Sequence, residues 1–298
     1  MRQAVGIDVG GSTLRAALVD ESGRVVASVK ELLRERDPQS VVALAAELLT
    51  RITPAQTTLP IGVGVAAQLW VHEGRVAVAP NLGWRDVPYG AMLRARFGRP
   101  VRLVNDLDAI TAGEAAAGAA RGERDVLCIF LGTGLGMGAI VQGQLIEGAD
   151  GLATELGHIK IEAIDTGRLC GCGQRGCLEA YTSGRHLPAL FVEKLAAGLE
   201  SPLADQAHAD PTSLTADVLE RAVVAGDAAA TALWIEIGER LARALGNVVA
   251  LLNPRVLVLG GGVLFAAPTL TRHIRSRLGA NSPTAPAPAL SIRQAQLG

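Results

Sequence analysis

"AVGIDVGGSTLRAALVDESGRVV", residues 4–26, carries the reading on which the fold turns. Ala4 to Val9 reads as a strand ending in a glycine turn at Gly10 and Gly11. "TLRAALVD" reads as a second strand and "RVVASVKE" as a third, with "ESG" between them. Three strands joined by short turns make an antiparallel meander. The same plan returns at "DVLCIFLGTGLGMGAIVQGQLI", residues 125–146: strand, glycine turn, strand, turn, strand. The echo predicts two halves built alike, with a boundary near Gly122. A dinucleotide fingerprint needs a helix after its glycines, yet "LGTGLGMG" runs into the β-like "AIVQGQLI". No G-x-x-x-x-G-K-[ST] occurs either, so Rossmann and P-loop readings fall away.

The intervening segments fill out an α/β chain. "DPQSVVALAAELLTRI" reads as a helix capped by Asp37, with Pro38 in its first turn. Val41, Val42, Ala45, Leu48, Leu49 and Ile52 share one face of it. "IGVGVAA" and "PVRLVND" read as buried strands. "LDAITAGEAAAGAARG" reads as an Ala-rich helix ending at Gly122. "TADVLERAVVAG" and "AAATALWIEIGERLARALGNVVALLN" read as helices, the second stopped by Pro254. "RVLVLGGG" is a last buried strand, and "GANSPTAPAPAL" reads as an irregular connection.

Composition narrows the function classes. With 49% apolar and 19% charged residues, the 298-residue chain buries a substantial core and is not disordered. Its 28 basic and 29 acidic residues leave no excess positive charge for broad nucleic-acid contact. The N-terminus lacks the apolar stretch of an export signal. No apolar run reaches the ~18 residues of a membrane span. The expected compartment is therefore the reducing cytoplasm, where disulfides are rare.

Four groups of residues point to chemistry. Asp8 ends a strand before a Gly-rich turn whose amides can face phosphate oxygens, and its carboxylate suits a hydrated Mg2+; a plain hairpin turn would look the same. Thr133, between Gly132 and Gly134, and the run Gly260, Gly261, Gly262 form two more strand-to-glycine turns. The last would let a flat adenosine lie against bare backbone. Asn105 and Asp106 end an apolar strand, where a carboxylate could accept a proton from an attacking hydroxyl. The competing reading is helix capping by Asp106 or Asp108.

"LCGCGQRGCLEA" holds three of the four cysteines, and His158 lies upstream in "ATELGHIKIE". One His with Cys170, Cys172 and Cys177 suits tetrahedral Zn2+ in a closed, structural site. A reactive thiol would instead need a basic partner, for which Arg168 and Arg175 are candidates.

These pieces, in order, resemble the ROK family of sugar kinases and repressors, in the actin/hexokinase/Hsp70 superfamily. The matching stretches are "GIDVGGSTLRAALVD", "PNLGWRDVP", "VNDLDAITAGEA", "FLGTGLGMGAI", "ATELGHIKI", "CGCGQRGCLEAYTSG" and "VLVLGGGV". The G-H and C-x-C-G-x-x-G-C-L-E elements are the most specific.

The resemblance implies a two-lobed actin-like ATPase (ribonuclease H-like) fold, with a lobe over residues 1–120, a second over 121–298, and an active site in the cleft. It implies a glucokinase-like phosphotransferase acting on a hexose 6-hydroxyl. Asp106 would be the catalytic base. Asn81, Asn105, Asp106, Glu155, His158 and Glu179 would hold the sugar. Asp8, Gly10, Gly11, Thr13, Gly132, Thr133, Gly134, Gly260, Gly261 and Gly262 would hold ATP and Mg2+. His158 would present one ring nitrogen to structural Zn2+ and the other to sugar. A homodimer or homotetramer is implied as well, with neither nucleic acid nor membrane as partner.

The chain departs from the family pattern at several places. Ala66-Ala67 stand where Pro-Gly is usual, Val104 where Glu is usual and Asp108 where Asn is usual. Met137 stands where Gly is common, the gap from His158 to Cys170 is slightly long, and "QAQLG" ends the sequence where a helix usually continues. The repressors place a DNA-binding segment ahead of the first glycine motif, and only seven residues precede Asp8 here.

Overall fold

The computed structural model describes residues 2–53, 58–281 and 290–297. They fall into two compact units. One holds residues 2–122, 145–154 and 297; the other holds 123–144 and the described part of 155–296.

The first unit is built on the predicted meander. β1 (Gln3–Val9), β2 (Thr13–Asp20) and β3 (Val25–Leu32) pair antiparallel. β4 (Ile61–Val65) and β8 (Val101–Asn105) extend the sheet in parallel, giving the order β3-β2-β1-β4-β8. Alternation places Val5, Ile7 and Val9 of β1 in the core, each contributing about 1.5–3 kcal/mol by burial. Helix α1 (Pro38–Ile52) starts where Asp37 accepts from Ser40 N and buries all six residues expected on its inner face. A small antiparallel sheet, β5 (Gln68–Trp70), β6 (Arg75–Ala79) and β7 (Trp84–Val87), follows β4 and leads into α2 (Tyr89–Phe97).

Helix α3 (Asp106–Ala117) is shorter than its Ala-rich sequence predicts. The cause is Glu114. Its buried carboxylate folds back over the helix end, where Oε2 accepts from Ala119 N and Oε1 from Leu297 N at 2.8 Å. A Cβ at Gly118 would lie 2.1 Å from that carboxylate, so the helix closes at the glycine and the chain reaches Gly122 through turns.

The second unit repeats the plan. β9 (Val126–Leu131) and β10 (Leu135–Val141) pair antiparallel. β11 (Gln144–Leu145), β12 (Val256–Gly260) and β13 (Ser291–Gln294) complete the order β11-β10-β9-β12-β13, with β9, β12 and β13 parallel. Among the described residues, six α-helices accompany it: α4 (Leu187–Ala196), α5 (Ala204–Ala209), α6 (Ala216–Val224), α7 (Ala228–Leu252), α8 (Gly262–Ala266) and α9 (Pro268–Asn281). α7 ends at Asn253 in a left-handed conformation (φ 45°), directly before Pro254. Buried Glu220 ties α6 to its neighbours by accepting from Trp234 Nε1 and Thr269 N, each at 2.8 Å. The core of the Pro/Ala-rich connection, residues 282–289, lies outside the described residues.

The β2–β3 turn rests on Asp20. Its Oδ1 accepts from Ser22 Oγ (2.6 Å), Ser22 N (3.0 Å) and Arg24 N (3.1 Å), and its Oδ2 from Arg24 Nε (3.1 Å). The Ser22 hydroxyl, joined by the two backbone donors and the Arg24 side chain, outweighs burial and holds the carboxyl down at about 2. The folded pKa is depressed, so this stabilisation is complete above the unfolded value of 3.8 and is lost as pH falls toward 2. Asp20→Asn should therefore lower Tm at neutral pH. Thermal melts from pH 7 downward should show the gap to wild type closing only below about pH 4; a gap independent of pH would remove the carboxylate from the account.

Candidate active site and metal centre

In the first unit, the glycine turn between β1 and β2 is closed by Gly10 N donating to Thr13 O at 3.0 Å. Asp8 stands opposite Arg15 in the β1–β2 register. Surrounding protein raises its carboxyl above the usual range, opposed by the charges of Arg15 and Lys30. Asn81, in the turn after β6, lies over the glycines: a Cβ at Gly11 would sit 2.8 Å from Asn81 Cβ.

Asn105 and Asp106 sit where parallel strand β8 passes into α3. The capping residue is Asn105, not Asp106 or Asp108. Its Oδ1 accepts from Leu107 N (2.8 Å) and Asp108 N (3.3 Å). An Asn at this position satisfies two helix-terminal donors without adding charge. Its Nδ2 donates to Ala67 O at 3.0 Å, and Ala66 N donates to Val9 O at 3.3 Å. The Ala66-Ala67 loop is thereby tied both to the end of β1 and to Asn105. Asp106 accepts from Leu107 N at 3.0 Å through Oδ1, which orients the carboxylate at the positive end of α3.

In the second unit, Gly132, Thr133 and Gly134 form the tight turn between β9 and β10, with Gly132 N donating to Gly134 O at 2.9 Å. The third glycine run follows β12. The expectation of bare backbone holds at Gly262, where an added Cβ would meet nothing within 4 Å. It fails at Gly260 and Gly261, whose Cβ positions are taken by the Phe130 ring (2.6 Å) and Leu131 O (2.4 Å). Those two glycines serve packing against β9.

Thr154, held at φ 64°, turns the chain into Glu155; a β-branched residue rarely adopts that region. A 3-10 turn over Leu156–His158 follows, closed by His158 N donating to Glu155 O at 2.9 Å. His158 Nε2 lies 3.7 Å from Glu155 Oε2, while Nδ1 lies 3.8 Å from Cys170 Sγ. The ligand atoms of His158, Cys170, Cys172 and Cys177 all fall within 4.8 Å of one another. Cys172 Sγ and Cys177 Sγ are 3.8 Å apart. A tetrahedral zinc with Zn–S bonds of roughly 2.3 Å separates its sulfurs by roughly 3.8 Å, whereas a disulfide holds them at roughly 2.05 Å. The four residues fit the metal, and no disulfide forms among them.

The cysteine loop is anchored from several sides. Antiparallel bridges join Lys160 to Cys177 and Leu169 to Arg175. Tyr181 accepts from Arg168 N at 2.7 Å, and the Arg168 and Arg240 guanidinium groups lie 5.4 and 4.6 Å from its ring centre. The reactive-thiol reading loses its partners: Arg168 binds Glu193, and Arg175 donates to Gly167 O. Without metal, burial pushes the Cys170 thiol up, which disfavours a free nucleophilic thiolate there; bound Zn2+ would instead deprotonate it. The cation beside a sulfur is Lys160, with Nζ 2.9 Å from Cys177 Sγ. Sequence spacing hid it, because only the bridge brings position 160 opposite position 177.

The cap at α3 is testable by itself. Asn105→Ala should destabilise the protein by about 1–2 kcal/mol through loss of the cap. Asn105→Asp should keep the cap but lose the bond to Ala67 O. Chemical denaturation of the two variants should rank Ala below Asp; equal losses would place the cost elsewhere.

Comparison with known proteins identifies the family and the fold. The ROK family profile matches residues 4–298. Thermotoga maritima glucokinase is 32% identical over 276 residues, covering 92% of this chain and 86% of that protein. The Bacillus subtilis xylose repressor is 26% identical over 279 residues, covering 92% of this chain and 68% of the repressor. Among solved structures, a ROK family glucokinase from Streptomyces griseus, in complex with glucose and AMPPNP, superposes with a TM-score of 0.81 at 30% identity, covering 99% of this chain and 95% of that one. The fold is the actin-like ATPase fold expected from the motifs. The chain belongs to the ROK family, with the sugar-kinase phosphotransferases of that family.

Proposed function

We propose that the chain transfers the γ-phosphoryl group of ATP to the 6-hydroxyl of a hexose, with glucose the first choice. The observation that carries this reading is the placement of Asp106 at the head of α3, beside an Asn105 already committed to capping. Similarity to glucokinases from several bacteria supports the substrate class. In this reading Asp106 takes the hydroxyl proton. The sugar oxygen forms a bond to the γ-phosphorus, the β–γ bridging bond breaks, and ADP leaves.

Asn81, Asn105, Glu155, His158 and Glu179 hold sugar hydroxyls. Gly10, Gly11, Thr13, Gly132, Thr133 and Gly134 hold phosphates, and Gly262 lies at the adenosine, with Gly260 and Gly261 shaping its wall. Bound Mg2+, near Asp8, would offset phosphate charge during transfer. His158 Nδ1 and the three cysteines hold Zn2+, which leaves Nε2 and the neighbouring Glu155 for the sugar. We place the protein in the cytoplasm as a homodimer or homotetramer.

A second reading rests on the similarity to xylose repressors: a sugar-binding protein without turnover. N-acetylmannosamine, N-acetylglucosamine, fructose or mannose could replace glucose, and polyphosphate could replace ATP; the Ala66-Ala67 loop is where acceptor choice would differ.

A panel of these sugars against both phosphoryl donors, read by ADP or sugar-phosphate formation, separates the possibilities. Glucose with ATP should give the highest kcat/KM. Asp106→Asn should lower kcat by at least ~100-fold while calorimetry still detects glucose binding. Sugar binding with no product from any pair would favour the second reading, and turnover surviving Asp106→Asn would sink the base assignment. Removing zinc should weaken glucose binding as well as stability; unchanged glucose affinity in metal-free protein would break the link between the cysteine loop and the sugar.

A further inference from the structure

The segment that follows Cys177 runs along the glycine turn between β9 and β10. Gly184 N donates to Gly132 O at 2.8 Å, and Arg185 N donates to Thr133 O at 3.2 Å. Between them and the metal ligand lies Glu179, whose Oε2 accepts from Leu135 N at 2.9 Å. Its other oxygen lies 3.5 Å from Cys170 Sγ. The turn is shaped to admit the carboxylate: a Cβ at Gly134 would lie 2.6 Å from Glu179 Oε2. On its other flank, the 3-10 turn that ends in His158 presses against the same hairpin, and a Cβ at Gly157 would lie 2.3 Å from Leu135 O. Both arms of the His–Cys cluster thus grip one four-residue stretch, Gly132–Leu135.

We propose that Glu179 is a positioning residue for the nucleotide, fixing the phosphate-facing turn through its bond to Leu135 N. This rests on the reading of Gly132–Gly134 as a phosphate turn, and it adds to Glu179 a role separate from contact with sugar. A backbone N–H held by a carboxylate cannot swing away, so the adjoining amides keep the orientation that phosphate oxygens require. The role needs an acceptor oxygen at Oε2 and not a negative charge. An amide in its place can still accept from Leu135 N through its carbonyl oxygen, whereas a methyl group cannot.

The test uses the full zinc-loaded chain without sugar. Calorimetric titration with AMPPNP and Mg2+ is compared for wild type, Glu179→Gln and Glu179→Ala, with zinc content measured for each. Glu179→Gln should bind the nucleotide within about twofold of wild type. Glu179→Ala should bind it roughly fivefold or more weakly, the fold-change of one lost hydrogen bond. Hydrogen exchange at Leu135 N–H should be slow in wild type and Glu179→Gln, and faster in Glu179→Ala.

Should Glu179→Ala not fold, Gly157→Ala, whose added Cβ would meet Leu135 O, disturbs the same residue from the other flank and should also weaken AMPPNP. Wild-type affinity and slow exchange in Glu179→Ala would overturn the proposal. So would equal weakening in the Gln and Ala variants, which would assign the effect to charge. Failure of wild type to bind AMPPNP at all would instead count against the kinase reading itself.

Discussion

Three sulfurs and one imidazole nitrogen confined within 4.8 Å of one another organise the loops of the second unit around His158 and Cys170–Cys177. They join two stretches of chain, one ending at His158 and one running from Cys170 to Cys177, that have little regular structure of their own. A metal at their centre would replace the hydrophobic core that such a loop cannot build. Net charge matters too: three thiolates around Zn2+ would leave one negative charge in excess, and Lys160 Nζ, 2.9 Å from Cys177 Sγ, stands where it would offset it. Outer contacts of this kind tune metal affinity and hold ligands in orientation.

The first unit meets the same requirement by different means. Asn105 works through hydrogen bonds: it caps α3, reaches Ala67 O, and leaves the adjacent carboxylate of Asp106 in a defined place. The substitution of Ala66-Ala67 for the family's usual Pro-Gly alters the side chains of that loop, yet its backbone is fastened at Val9 O and at Asn105 Nδ2. The loop thus differs in its surface while its anchorage is intact.

Much of this was legible in the sequence. The paired strand–glycine–strand stretches at residues 4–26 and 125–146 foretold two sheets of like order, because strand alternation and turn chemistry are local. The face of α1 was legible for the same reason, as was the His–Cys cluster, where ligand number and type carry the signal. What stayed hidden depends on contacts between distant positions. The early close of α3 comes from Glu114 meeting Ala119 and Leu297. The use of Gly260 and Gly261 for packing comes from Phe130 and Leu131. Asn105 was read for its chemistry and missed as a cap, because Asp106 and Asp108 are equally good capping types and only the backbone angles choose among them.

A closed zinc site at His158, Cys170, Cys172 and Cys177 is open to direct measurement. X-ray absorption at the zinc K-edge, on purified protein with one equivalent of metal, reads this directly. The expected shell is three sulfurs at roughly 2.3 Å and one nitrogen at roughly 2.0–2.1 Å, the same before and after sugar is added. A shell with fewer than three sulfurs, or one that gains or loses an oxygen when sugar binds, would contradict it.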